Sequence, residues 1–319
     1  MTKHGTTRHG SLQFWPRSRA HKILPGVSWQ PISNNLKEVG LMGFICYKVG
    51  MKSAYVKNNT PNSLTKGKRV IIPVTILECP TLRILSVKFY KNKNVIGEVL
   101  ASNLDKELKR KIKLPKKAGK KIEDFKSGDY DDIRVVVYSQ VKKTGIKKTP
   151  DIKEIAISGS LGDKLKFVHD NLHKEISIKE VFKDQIVDIR GVTKGKGLQG
   201  TIKRFGTTLK SHKSEKGQRT LGSGGPWHPS RVDYTQPRAG QMGFFTRVVY
   251  NSKIVYIGNT SEKDINPAGG FQHFGTIRGD YIVLEGSIQG PQKRQVLITH
   301  ALRPVKTHSK KSYEFVELR

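Results

Sequence analysis

The chain has 319 residues, of which 59 are Lys or Arg and 26 are Asp or Glu; the difference, 59 − 26, is a formal net charge of +33. A charge of that size, spread over the whole length, implies a polyanionic partner and disfavours a free metabolic enzyme, while a hydrophobic share of 35% still supports a core. The best apolar run, near 70–77, is interrupted by Pro73 and cannot span a bilayer. The N-terminus lacks the apolar stretch of a secretory signal, and Cys46 and Cys79 read as small core residues in a reducing, intracellular compartment.

In chain order, residues 1–37 hold six Lys/Arg, three His and no acid. No period of 3.6 or 2 persists there, so the stretch reads as a basic extension without a core of its own. Runs rich in β-branched and aromatic residues at 42–49, 69–78 and 82–90 predict strands. Residues 102–113 predict a helix capped by Ser102, with Leu104, Leu108 and Ile112 on one face and lysines on the other. A lysine-rich loop with Lys116, Lys117, Lys120 and Lys121 follows, then strands at 133–141 and 153–158, a helix at 162–172 and a capping box from Ser177 to Glu180. From 186 the pattern returns to strands, at 186–192, 247–257, 281–288 and 295–302, with Asn251-Ser252 as a hairpin signal. The expected organisation is an extension (1–37), the first part of a β-barrel (38–84), an inserted α+β domain (85–180) and the second part of the barrel (181–319).

One stretch fits neither element. Residues 190–232 hold ten Lys/Arg, two His and one acid, Glu215, with nine glycines between 191 and 225. Such a segment cannot offset its ordering entropy by burial, and it reads as a structureless protruding arm. Gly195-Lys-Gly-Leu-Gln-Gly200 matches a dinucleotide fingerprint, but no helix pattern follows and no acid stands about twenty residues on. The glycines instead allow backbone to approach phosphates, with Lys194 and Lys196 supplying charge. His169 and His173, one turn apart, have the spacing of a helical zinc pair, yet no third ligand is identifiable, so two surface histidines is the better reading. No nucleophile, acid–base pair or phosphate-binding loop of nucleotide hydrolases is visible, and no cofactor is implied. Trp227, within Gly224-Gly-Pro-Trp-His-Pro229, could be a core anchor. Its glycine and basic flanks instead suit an indole stacking on an unpaired base.

These blocks make the chain recognisable: Arg8-His-Gly-Ser-Leu-Gln-Phe-Trp-Pro-Arg-Ser-Arg19, Gly43-Phe-Ile-Cys-Tyr-Lys-Val-Gly-Met51 and Gly191-Val-Thr-Lys-Gly-Lys-Gly197 leading to Lys203-Arg204. They continue with Gly225-Pro-Trp-His-Pro-Ser-Arg231, Pro237-Arg-Ala-Gly-Gln-Met-Gly243, Ile265-Asn-Pro-Ala-Gly-Gly-Phe271 and Gly290-Pro-Gln-Lys-Arg294. In that order they resemble the archaeal and eukaryotic branch of the universal large-subunit ribosomal protein "L-three" family; only 85–180 matches weakly. The resemblance implies a mainly β fold: a Greek-key-type β-barrel with an inserted α+β domain, an N-terminal extension and a basic finger at about 194–240. It implies a non-enzymatic constituent of the cytoplasmic ribosome, with large-subunit rRNA and neighbouring ribosomal proteins as partners and no membrane or small-molecule substrate. Family members bind the 3′ region of that RNA early in assembly, and the finger tip approaches the peptidyl-transferase region.

Basic composition and the resemblance together nominate rRNA contacts at Arg8, His9, Arg17, Arg19, His21 and Lys22 in the extension. In the finger they nominate Lys194, Lys196, Lys203, Arg204, His212, Lys213, Lys216, Arg219, Trp227, His228, Arg231 and Arg238, and further on Lys293 and Arg294. Gln13 departs from the family's glycine, Lys52-Ser53 replace its Thr-His, and Glu215 stands where eukaryotic relatives carry a modified histidine. Pro226-Trp227 and the short length are archaeal traits. The competing readings are an rRNA-modifying enzyme, which would need a cofactor loop, and a free RNA chaperone or translation-associated RNA-binding protein.

Overall fold

The computed structural model describes residues 10, 11, 13–36, 38–115, 119, 121–125, 130–183, 186–223, 227, 228 and 230–319. The fold is mainly β. Its strands are β1 (Gly43–Asn58), β2 (Arg69–Glu78), β3 (Leu82–Lys91), β4 (Asn94–Leu100), β5 (Asp132–Ser139), β6 (Ile152–Ala156), β7 (Ile186–Val192), β8 (Gly195–Gln199), β9 (Gly240–Gly243), β10 (Thr246–Asn259), β11 (Asp280–Glu285), β12 (Gln295–His300) and β13 (Tyr313–Leu318). No helix among the described residues is long and apolar enough to cross a membrane.

Seven strands pair in the order β12-β7-β10-β11-β2-β1-β13, and β12 also pairs with β1, so six of them close into a ring. The closure depends on the length of β1. Its first part, Gly43 to Tyr47, pairs with β12, its last part, Ala54 to Asn58, pairs with β13, and its other edge pairs with β2. The sequence pattern predicts only 42–49 as a strand, because a register shift between Lys48 and Gly50 breaks the alternation. Such a bulge moves every later side chain to the opposite face without ending the strand. Ile45, Leu77, Ile189, Ile254, Ile282 and Leu297 from these strands are buried in one cluster, and Val56, Val74, Val255, Val283 and Phe315 in a second. Cys46 and Cys79 are buried free thiols, as small core residues should be.

Strands β4-β3-β5-β6 form a second, antiparallel sheet, covered by the helix Leu161–Asn171. Ser160 caps that helix by accepting from the Asp163 amide at 3.3 Å. The helix ends at Asn171, so His173 lies beyond it and the two imidazoles do not share a helical face. The capping box of Ser177 and Glu180 opens a one-turn helix, Ile178–Val181. The helix expected over 102–113 is only a 3₁₀ turn, Lys106–Arg110. Asp105, three residues beyond Ser102, does not complete a cap. Its carboxylate accepts instead from Arg83 Nη1 at 3.0 Å and from Tyr138 Oη at 2.7 Å, tying the segment to β3 and β5. The apolar face still does its expected work, since Leu104, Leu108 and Ile112 pack with Leu85, Val136 and Tyr138. Lys116, Lys117 and Lys120 lie outside the described residues.

The hairpin signal at Asn251-Ser252 is also overturned, for β10 runs unbroken through it. Asn251 takes a left-handed φ of 58° within the strand, which asparagine tolerates, and its amide donates to Asp188 Oδ1 at 2.9 Å. A turn-forming residue here serves as a strand irregularity.

Candidate nucleic-acid interface

Residues 1–23 and 192–247 form one compact unit, and 24–191 with 248–319 form another. The first unit joins two segments that the sequence presents as core-less. Five Lys/Arg from the extension and eleven from 192–247 give it 16 basic residues, against two acids, Glu215 and Asp233.

Its framework is an antiparallel ribbon of β8 and β9, with Gly195 opposite Gly243 and Leu198 opposite Gln241. The segment is therefore not structureless, and a one-turn helix, Thr201–Phe205, does follow the glycine-rich motif. The antiparallel partner strand removes the parallel βαβ setting that a dinucleotide site requires. Arg204, in the last turn, donates through Nε to the Gln241 carbonyl at 3.0 Å and through Nη1 to the Arg238 carbonyl at 2.9 Å, fastening the helix to the returning strand. At Gly243 the backbone has φ +72°, and a Cβ there would strike the Lys194 carbonyl oxygen. Only glycine permits that crossing.

The extension closes over this ribbon. The Ala20 amide donates to the Phe244 carbonyl at 2.8 Å. Trp15 stacks on Phe205 with centroids 5.7 Å apart and meets Tyr234 edge-on at 6.3 Å. Phe205 is only 5% exposed, so the arm has a small core that a basic, glycine-rich sequence hides. The Arg17 guanidinium lies 4.1 Å from the Phe205 centroid and 5.2 Å from that of Trp15, and its Nη1 donates to the Arg204 carbonyl at 3.2 Å. Arg247 lies over Phe14 at 4.3 Å and Phe245 at 5.0 Å. Burial, then the charges of Arg204 and Arg247, hold the Arg17 pKa below its ordinary value. Burial alone lowers those of Arg204 and Arg247. All three stay cationic at neutral pH, because a guanidinium is not deprotonated in proteins. Gln13, where the family's glycine is usual, adopts φ 68°, a conformation glycine takes without strain.

Of the nominated contacts, Arg19, His21, Lys22, Lys194, Lys196, Lys203, His212, Lys213, Lys216, Arg219, His228, Arg231 and Arg238 are exposed, and Arg17 and Arg204 are half-buried. Trp227 is 86% exposed and is not a core anchor. Arg8 and His9 lie outside the described residues. Lys293 and Arg294 belong to the other unit. There the buried Lys48 pins their loop by donating from Nζ to the Ile288 and Gly290 carbonyls, and Lys48 exchanges backbone hydrogen bonds with Lys293 and Arg294. Sequence reasoning missed Arg247, Phe14, Trp15 and Tyr234 as partners in one assembly. Phe14-Trp15-Pro-Arg17, two aromatics beside an arginine in an acid-free stretch, was the available signal.

Chemically, the unit offers guanidinium forks, ammonium groups and an exposed indole. Among the described residues no group of three His, Cys, Asp or Glu could hold a metal. A mainly β protein carrying so one-sided a cationic unit has the profile of a polyanion-binding protein. Over residues 1–319 the chain matches the family described as ribosomal protein L3, and it belongs to that family, whose members are structural ribosomal proteins and not enzymes. Its relatives include the large ribosomal subunit proteins uL3 of Methanocaldococcus jannaschii, 42% identical over 93% of this chain and 91% of the relative, and of Pyrobaculum neutrophilum, 43% identical over 94% and 92%. That of Archaeoglobus fulgidus is 39% identical over 96% of this chain and 95% of its own.

Proposed function

We propose that the chain is a structural constituent of the large ribosomal subunit that binds the 3′ region of the large-subunit rRNA early in assembly. The closed ring of β1, β2, β11, β10, β7 and β12 serves as a β-barrel of Greek-key type, and residues 85–180 are an inserted α+β domain. Residues 194–240 are the finger, directed with Trp227 at its tip toward the peptidyl-transferase region. The nominated basic residues of the extension, the finger and the Lys293-Arg294 loop neutralise RNA phosphates. Neighbouring ribosomal proteins are its protein partners.

The observation that carries this reading is the 16-to-2 excess of basic residues in a unit that holds Trp227 almost wholly in solvent. Phosphate contacts supply position and most of the affinity, and an exposed indole supplies base stacking. Sedimentation of the tagged chain from lysate tests it. The expected result is stable presence in large subunits after a high-salt wash. A predominantly soluble pool would favour the free chaperone instead.

A further inference from the structure

We propose that Arg17, Arg204 and Arg247 form a discrete oxyanion site that takes one backbone phosphate of the bound RNA and thereby clasps the N-terminal extension to the finger. This rests on the RNA-binding reading above and adds to it a specific place, as distinct from general charge neutralisation.

The geometry singles out these arginines from the exposed lysines around them. Arg17 from the extension donates to the carbonyl of Arg204 in the helix after β8, and Arg247 at the start of β10 lies 4.3 Å over Phe14, three residues before Arg17, so three separate segments bring like charges together. Such a cluster is usually neutralised by carboxylates. No ion pair of Arg17 or Arg204 is found among the described residues. Arg204 spends Nε and Nη1 on carbonyl oxygens, a structural use. Arg17 gives Nη1 to the Arg204 carbonyl, but its Nε is buried with no acceptor among the described residues.

The faces of Trp15 and Phe205 attract the cation without accepting its in-plane hydrogen bonds. A tetrahedral oxyanion supplies what is missing, namely negative charge and several acceptor oxygens arranged for a guanidinium fork. The stack on Phe205 already holds the fork in place. Gly10 assists on the extension side, where a side chain would run into Arg17 Nη2 and the Phe205 ring.

Phosphate chemistry has two sources, an RNA phosphodiester and free phosphate, and the test separates them. In the full chain labelled with ¹⁵N-arginine, the Arg17 Nε–H resonance is assigned by its loss in Arg17→Lys. Inorganic phosphate replacing chloride at constant ionic strength should shift it saturably in the millimolar range. No shift by about 50 mM overturns the site. Next, binding to an RNA fragment from the 3′ region is followed against salt. Arg17→Lys keeps the charge but loses the fork, so affinity should fall on the order of tenfold with the log–log slope unchanged. Lys216→Gln, on the exposed finger, should instead reduce the slope by about one. A phosphate-dependent shift with unaltered RNA affinity in Arg17→Lys would assign the site to free phosphate and overturn the RNA assignment. Should Arg17→Lys disturb the amide resonances of β8 and β9, Arg247→Lys carries the same expectations. A chain that binds no RNA at all overturns the proposed function, while the phosphate titration still decides the site.

Discussion

Trp227 and Glu78 mark opposite extremes of environment. Truncating a core tryptophan costs about 3–5 kcal/mol, but Trp227 has little burial to lose. Trp227→Ala should leave the melting temperature of the free chain within about 1–2 °C, while weakening stacking on unpaired RNA bases by ~1–3 kcal/mol. A drop of many degrees would return the indole to the core. Glu78 is fully buried on β2, its Oε1 accepting from the Arg278 amide at 2.8 Å. Burial raises its pKa from 4.5 to about 7, against smaller opposing effects of that hydrogen bond and of Arg278. The folded state therefore holds a proton that the unfolded chain has released. Its contribution to stability is complete below about pH 4.5 and is lost as pH rises toward 7, a difference of about 3 kcal/mol. Glu78→Gln, which cannot ionise, should raise the melting temperature at pH 8 and lose that advantage at pH 4. Thermal unfolding of both proteins across this range checks it; equal gains at both values would contradict an ionisation effect.

At the scale of elements, the arm depends on the β8–β9 ribbon, and the ribbon depends on Gly243. An alanine there faces a positive φ worth about 1–2 kcal/mol and a collision with the Lys194 carbonyl. Gly243→Ala should abolish amide-exchange protection in β8 and β9 while leaving β1, β2 and β11 protected, because those strands pair within the ring. Simultaneous loss in the ring would mean that the ribbon is not an independent element. The elements also show where local pattern succeeds. The strands at 69–78 and 186–192 were legible to the residue, since segments this rich in Val and Ile favour a pleated, buried strand even around Pro73 and Asp188. The segment at 102–113 has the right apolar face but the wrong helix, because Arg83 and Tyr138, far along the chain, claim the Asp105 carboxylate.

For the whole molecule, charge is the dominant quantity. With a net charge of +33, binding to large-subunit RNA fragments should weaken steeply with salt, with a log–log slope of magnitude at least ~5. Titrations between low and moderate salt measure it directly. A slope of about one or two would show that phosphate neutralisation does not dominate. Sequence preference should follow the folded shape of the RNA, since side chains cannot enter the deep groove of an A-form helix.

The class of partner, the mainly β character and the family were legible in the sequence, because net charge, β-branched runs and glycine-rich blocks are local properties that tertiary contacts do not cancel. A barrel was expected, but the strands and register that close the ring were not legible, because they depend on a bulge inside β1 and on pairing between Gly43–Tyr47 and a strand some 250 residues later. Nor was the union of extension and arm. Each has too few apolar residues to order itself, and only together do Trp15, Arg17 and Phe205 form a core. The tertiary structure decided this because stacking and cation–π contact need both halves in place, and composition records neither the meeting nor its geometry.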